Sequence, residues 1–148
     1  FKAGKPDANP SSIRLFTHQL QSIERAQKNR SFVVTTGTGS GKSLSFFIPI
    51  IDRVLKAKEE NPAPRTRAII IYPMNALANS QAEEIAKFMG NPGADELGLT
   101  VERYTGQEGD TQRRRIAENP PDILLTNFMM LELILTRFGT AEASSFLC

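Results

Sequence analysis

The stretch Ser31–Ser43, SFVVTTGTGSGKS, decides how the rest of this chain is read. Ser31 to Thr36 is a short apolar, β-branched run that predicts a buried strand. It breaks into Gly37, Gly39 and Gly41 ahead of an apolar segment of helical length. Strand, glycine loop and helix is the order that a phosphate cradle needs. Glycines let backbone N–H groups turn in on a phosphate at small steric cost, and the following helix adds free amides and the positive end of its dipole. Lys42 is then the point charge for the β- and γ-phosphates and Ser43 the hydroxyl for Mg²⁺. The strict pattern places a glycine where this chain has Thr36, so the loop is a variant. The competing reading is a Gly/Ser turn that happens to precede a lysine, and the placement between strand and helix argues against it.

Upstream, residues 1–12 are rich in Pro, Lys, Asn and Ser and are expected to form a flexible lead-in to a single domain over 13–148. Thr17 is the expected N-cap of a helix over His18–Lys28. Phe16 and Gln19 precede the glycine loop by about twenty residues, close enough to fold back over a nucleotide base. A glutamine offers a donor and an acceptor to N6 and N7 of adenine, and an aromatic ring can stack on the base. On their own they read as a core aromatic and a surface amide. His18, the single histidine, has no neighbour at metal-ligand spacing and reads as a surface or capping residue.

Downstream, Leu44, Phe47, Ile48, Ile51 and Leu55 mark one face of a helix, in which Pro49 should cost or kink a turn. EENPAPRTR (59–67) is a surface connection. Ala68–Tyr72, AIIIY, suits a parallel strand covered on both faces, and helical spacing resumes over Asn75–Met89. A third strand is expected over Leu99–Tyr104, a helix from Thr111 to Glu118, and a fourth strand over Asp122–Thr126. Asn127 caps a last helix that is apolar nearly all round and therefore expected to be buried on more than one side. Arg113–Arg115 read first as a solvated helix face and second as a phosphate-binding patch. Strands alternating with helices predict a parallel α/β sheet, whose ligands gather where the strands end. Those ends are Thr36–Ser43, Pro73–Gln81, Tyr104–Gly106 and Thr126–Asn127.

Composition bounds the function without choosing it. The chain has 148 residues, 40% hydrophobic and 23% charged, with a net charge of +2, which permits an anionic partner without demanding one. Its apolar runs are broken by charge or proline well short of a membrane span, so no membrane role is expected. The lone cysteine, Cys148, has no internal partner, in keeping with a cytoplasmic setting. A start at Phe1 suggests a piece of a longer protein.

In their order, these motifs resemble the first RecA-like domain of a superfamily 2 DEAD/DEAH-like helicase. The order runs FTHQ (16–19), TGTGSGKS (36–43), YPMNALANSQ (72–81), Thr105-Gly106 and LTN (125–127). The resemblance covers about Arg14 to Arg137, and the YP-x-x-AL-x-x-x-Q and LTN-x-x-ML forms look most like a group that includes bacterial DNA-repair helicases and the helicase of the DISARM phage-defence system. It implies a RecA-like P-loop NTPase fold, with a parallel sheet, flanking helices and ATP and Mg²⁺ as cofactors. Phe16 would stack on adenine and Gln19 read it, Thr38, Gly39, Ser40, Gly41 and Lys42 would bind the triphosphate, and Ser43 would coordinate Mg²⁺. Pro73, Asn75, Ala76, Leu77, Gln81, Thr105, Gly106, Thr126 and Asn127 would lie along one strand of nucleic acid, DNA before RNA, and hold its phosphates. Taken apart from the glycine loop, these rim residues read as ordinary strand-end turns and caps.

One departure matters. The family's DExx carboxylates, expected beyond the last strand and helix, have no counterpart after Asn127, and Asp95-Glu96 lies in the wrong place. The second RecA-like domain is missing too, so the fragment is expected to bind ATP weakly and to hydrolyse it negligibly. The resemblance also implies a sheet with a gap, because the strands that part the glycine-loop strand from the Ala68–Tyr72 strand come later in the family's sequence. Completion by another chain, or strand exchange, is the expectation. Two other functions compete: a non-catalytic nucleotide or nucleic-acid binding module, and a small-molecule P-loop kinase, against which YPMNALANSQ argues.

Overall fold

The computed structural model describes residues 14–37, 39–75, 83, 85 and 98–136. They belong to two compact units, Phe1–Arg53 and Val54–Cys148.

In the first unit, α1 (Thr17–Gln27) starts one residue earlier than expected, with Phe16 rather than Thr17 as its N-cap. The reason is Gln19, whose Oε1 accepts the Phe16 N–H at 2.8 Å, the reach-back half of a capping box. The helix ends where Asn29 takes the left-handed conformation (φ 53), letting the Arg30 N–H donate to the Arg25 carbonyl at 3.0 Å. Ser31–Thr36 is not the buried strand that its composition predicts. None of its residues joins a ladder, and Val33 is 89% exposed. Apolar β-branched residues favour extended backbone, but a strand exists only where a neighbour takes its N–H and C=O groups. The described sheet lies wholly in the second unit.

Helix α2 (Lys42–Glu60) follows the glycine loop directly. It is longer than the sequence suggests, taking in Glu59 and Glu60. Leu44, Phe47 and Val54 are buried along it, and Pro49 is accommodated inside, at the cost of the bond its missing N–H would give the Ser45 carbonyl.

The second unit holds β1 (Ala68–Tyr72), β2 (Val101–Tyr104), α3 (Asp110–Glu118), β3 (Ile123–Asn127) and α4 (Phe128–Thr136). All three strands are parallel, in the order β1-β3-β2. The register sets Ala68 against Ile123 and Tyr72 against Asn127 on one side of β3, and Val101 against Ile123 and Tyr104 against Thr126 on the other. Parallel neighbours need long crossovers, and α3 supplies the one between β2 and β3. The sheet is thus three-stranded among the described residues, not four-stranded, and does not include the glycine-loop segment. Of the helix expected over 75–89, Asn75, Glu83 and Ile85 are described and helical, and Ile85 is buried.

The centre of this unit is β3, whose Ile123, Leu124, Leu125 and Thr126 are all inaccessible to solvent. Leu124 packs in one cluster with Tyr104, Ile116, Ala117 and Ile134, and Met130 leans on it. At the amino-terminal end of the strands, Asp122 is a hub. Its carboxylate accepts from Arg67 Nη1 (2.6 Å), Lys58 Nζ (2.8 Å), the Thr100 N–H (2.9 Å) and the Thr100 hydroxyl (3.0 Å). Its carbonyl accepts from the N–H groups of Arg67 and Ala68. Residues leading into all three strands are tied through this one side chain and its backbone.

Helix α4 does not have the all-round burial expected of its composition. Ile134 is buried, whereas Phe128, Met129 and Leu135 are exposed at 65%, 69% and 39%. The helix packs along β3 and β1 and meets the core through the side that carries Met130 and Ile134.

Candidate nucleotide and nucleic-acid sites

The glycine loop is braced from within. Gly39 and Gly41 have φ of 73° and 72°, the left-handed region where a side chain is strained. Thr36, standing where the strict pattern has glycine, shares a 2.6 Å hydrogen bond with the Ser40 hydroxyl and so spans the loop. Lys42 Nζ donates to the carbonyls of Thr36 (2.8 Å) and Gly37 (2.6 Å), which holds its ammonium at the mouth of the loop. Ser43 takes its place in the first turn of α2. A loop with two left-handed glycines, an ammonium gathered at its entrance and a helix amino terminus behind it fits a chain of phosphates. Thr38 lies outside the described residues.

Gln19 is 1% exposed, and both ends of its amide are engaged. While Oε1 caps α1, Nε2 donates to the Gly41 carbonyl at 2.8 Å, so one side chain joins the start of α1 to the glycine loop. A Cβ at Gly41 would also stand 2.9 Å from Gln19 Nε2, so the Gln19 side chain would have to shift. Phe16 is half exposed and stacks on His18, with ring centroids 5.7 Å apart and planes 12° apart.

The second site is the rim where the three strands of the second unit end. Asn127 is its centre. Its Oδ1 accepts the Met130 N–H at 2.7 Å, the cap expected for α4, while Nδ2 donates to Asn75 Oδ1 (2.7 Å) and to the Thr105 carbonyl (2.9 Å). The ends of β1, β2 and β3 are thereby linked through one amide. Pro73 is exposed beside them. Ala76, Leu77 and Gln81 lie outside the described residues.

Two rim residues depart from expectation. Thr126 is fully buried, and its hydroxyl donates to the Tyr104 carbonyl at 2.7 Å, so its side chain fastens β3 to β2 instead of facing a ligand. The cause is its position inside the central strand, where a hydroxyl must find a partner in the sheet. The Thr105–Gly106 turn is held by Glu108, which the sequence did not bring forward. The carboxylate accepts from the Thr105 N–H (2.8 Å), the Thr105 hydroxyl (2.8 Å) and the Gly106 N–H (2.9 Å). Burial pushes this carboxyl up, but its backbone and hydroxyl donors outweigh burial and hold it below the ordinary value of 4.5. Asp122 is similar: burial raises it, and Lys58 and Thr100 bring it below 3.8. Among the described residues no group of three His, Cys, Asp or Glu side chains is placed to hold a metal ion.

Residues 16–147 match the family model for DEAD/DEAH box helicases. The chain belongs to that family. It is 31% identical over 134 residues to the uncharacterized ATP-dependent helicase YprA of Bacillus subtilis, an alignment that takes in 89% of this chain and 16% of YprA. Among solved structures, the Mycobacterium smegmatis helicase Lhr bound to ssDNA and AMP-PNP superposes with a TM-score of 0.71 at 26% identity, covering 86% of this chain and 16% of Lhr. The DUF1998 helicase MrfA bound to DNA gives 0.71 at 28% identity, covering 89% of this chain and 17% of MrfA. The chain thus spans about one sixth of the length of each of these helicases. The parallel sheet with flanking helices matches the RecA-like fold of these helicases, and relatives such as Lhr and MrfA agree with the repair or defence group that the motif forms suggested.

The glycine loop was legible from residue type and spacing, and LTN as a motif only through the family resemblance. Glu108 was not, because a glutamate in a polar loop reads as a solvated charge. Its one signal was a carboxylate two residues after Gly106, within reach of that turn's N–H groups.

Proposed function

We propose that this chain is the ATP-binding portion of a nucleic-acid-dependent ATPase that couples ATP hydrolysis to translocation on, or unwinding of, DNA. The observation that carries the reading is the glycine loop, with Lys42 held at its mouth by the Thr36 and Gly37 carbonyls and α2 beginning at its end. A triphosphate entering the loop would take Lys42 from those carbonyls and receive its charge. Thr38, Gly39, Ser40 and Gly41 would line the phosphates, and Ser43 would hold Mg²⁺. When bound, Mg²⁺-ATP supplies the phosphoryl group whose transfer drives the motor. Phe16 has an exposed flank for stacking on adenine, whereas Gln19, buried and bonded at both ends of its amide, would have to swing out of one of those bonds to read the base edge.

On the rim, Pro73, Asn75, Asn127 and the Thr105–Gly106 turn would track one strand through its backbone, with Ala76, Leu77 and Gln81 continuing the track. DNA is favoured over RNA because Lhr and MrfA are DNA-bound in their solved structures. Carboxylates that hold Mg²⁺ and orient water, and a second RecA-like domain, would complete phosphoryl transfer; the 148 residues alone would bind ATP with negligible turnover. A cytoplasmic setting suits such a motor.

The test is ATP turnover by a full-length helicase carrying this chain, with and without single-stranded DNA, using Lys42→Ala as the blank. Stimulation by DNA that is lost in the variant is expected. No stimulation by DNA or RNA would favour a non-catalytic binding module, and robust Lys42-dependent turnover by the 148 residues alone would contradict the division of labour proposed above.

A further inference from the structure

At the Thr105–Gly106 turn the donors suited to a phosphate are already taken. Two successive backbone N–H groups and a hydroxyl form an anion-binding nest, and the Glu108 carboxylate fills it with three bonds of 2.8–2.9 Å. Thr105 and Glu108 are 4% and 8% exposed, so this nest faces the protein and not the solvent. A nucleic-acid phosphate at this turn must therefore be met by another group.

Arg113 is placed to be that group. It lies one turn into α3, and its Nη2 donates to the Gly106 carbonyl at 2.9 Å, which fixes the guanidinium beside the turn. Its side chain is 36% exposed. It pairs with Asp110 at 3.8 Å, an acid 91% exposed, too long and too solvated a contact to satisfy the charge. A guanidinium has five N–H donors in a planar fork that matches a phosphate, and the Gly106 carbonyl uses one. Its neighbour differs: Arg115 is already paired, with Nη2 at 2.6 Å from Glu102 Oε1.

We propose that Arg113 is the residue that contacts a nucleic-acid phosphate at the Thr105–Gly106 turn, and that Glu108 is a positioning residue that closes the turn and leaves this contact to Arg113. The assignment rests on the nucleic-acid reading above and selects Arg113 over Arg115. It requires Arg113 to act by charge and Glu108 by shape.

The test is fluorescence anisotropy of a labelled oligodeoxythymidine titrated with the full chain across a series of salt concentrations. Arg113→Gln, which keeps a donor for the Gly106 carbonyl and removes the charge, is expected to weaken binding and to reduce the slope of log K against log salt by about 0.7. Arg113→Lys should keep the slope, Arg115→Ala should change neither quantity, and Glu108→Gln should weaken binding at an unchanged slope. An unchanged slope in Arg113→Gln, or an equal loss in Arg113→Lys, would overturn the assignment. So would tighter, more salt-dependent binding in Glu108→Gln, because it would mean that the freed nest takes the phosphate. If the unsubstituted chain bound no oligonucleotide at any salt, the nucleic-acid reading would fall first, and this proposal with it.

Discussion

Asp122 and Glu108 are both buried carboxylates, set at opposite ends of the same three strands, and they are satisfied in different ways. Asp122 faces two cations, Arg67 and Lys58, besides the Thr100 donors. Glu108 faces only backbone N–H groups and a hydroxyl. A charge paired with buried charge locks the structure, since neither partner can leave without stranding the other. A charge satisfied by neutral donors shapes a turn and leaves neighbouring cations unspent. The amino-terminal end of this sheet is accordingly a staple, and the carboxy-terminal end is a shaped rim with Arg113 beside it.

The sharpest way to break that contrast is Asp122→Ala. Arg67, whose side chain is 3% exposed, would be left buried without its partner, and a destabilisation of about 3–5 kcal/mol is expected in chemical denaturation. Adding Arg67→Ala should cost much less than the sum of the two single changes, which a double-mutant cycle would measure. Next in size is Glu108→Ala, with an expected loss of about 1–3 kcal/mol from two buried Thr105 donors and the part-buried Gly106 N–H left unpaired. Gly106→Ala should follow at about 1–2 kcal/mol, because φ is 90° there and a Cβ would stand 3.1 Å from Met130 Sδ. Arg115→Ala removes an exposed ion pair and should shift stability by less than about 1 kcal/mol.

Acid should expose both carboxylates together. Each has a folded-state pKa below its ordinary value, so each contributes stability that is complete above that value and is lost as pH falls through the lowered one. Loss of stability is therefore expected as pH drops below about 4.5 and then below about 3.8. It should be shallower in Asp122→Asn, measured by denaturation midpoints across that range.

Much of the second unit could be read directly. AIIIY and ILLT are unbroken apolar runs and are neighbouring parallel strands, but only ILLT is covered on both faces as expected: Ile69 and Ile71 are 39% and 49% exposed, because β1 has one face that nothing among the described residues covers. Asn127 was legible as a cap, since a side-chain carbonyl before a helix has one obvious use. Ser31–Thr36 has an equally good strand composition and is no strand, because propensity is local while a ladder needs a partner from elsewhere in the chain. Phe128 and Met129 carry the same lesson for α4: hydrophobicity says that a side chain would gain from burial, not that a surface is there to bury it. Gln19 and Glu108 escaped in the opposite direction. Both are polar residues buried by hydrogen bonds to backbone atoms, and a hydrophobic pattern has no means of showing such bonds.

The central claim, that Ser31–Ser43 cradles a nucleotide's phosphates with Lys42 as its charge, is tested most directly by titrating the chain with a fluorescent ATP analogue in the presence of Mg²⁺, beside Lys42→Ala. Saturable binding that competes with ATP and is weakened at least about tenfold in the variant is the expected result, a loss of about 1.4 kcal/mol. Equal affinity in the two proteins, or no saturable binding in either, would contradict it.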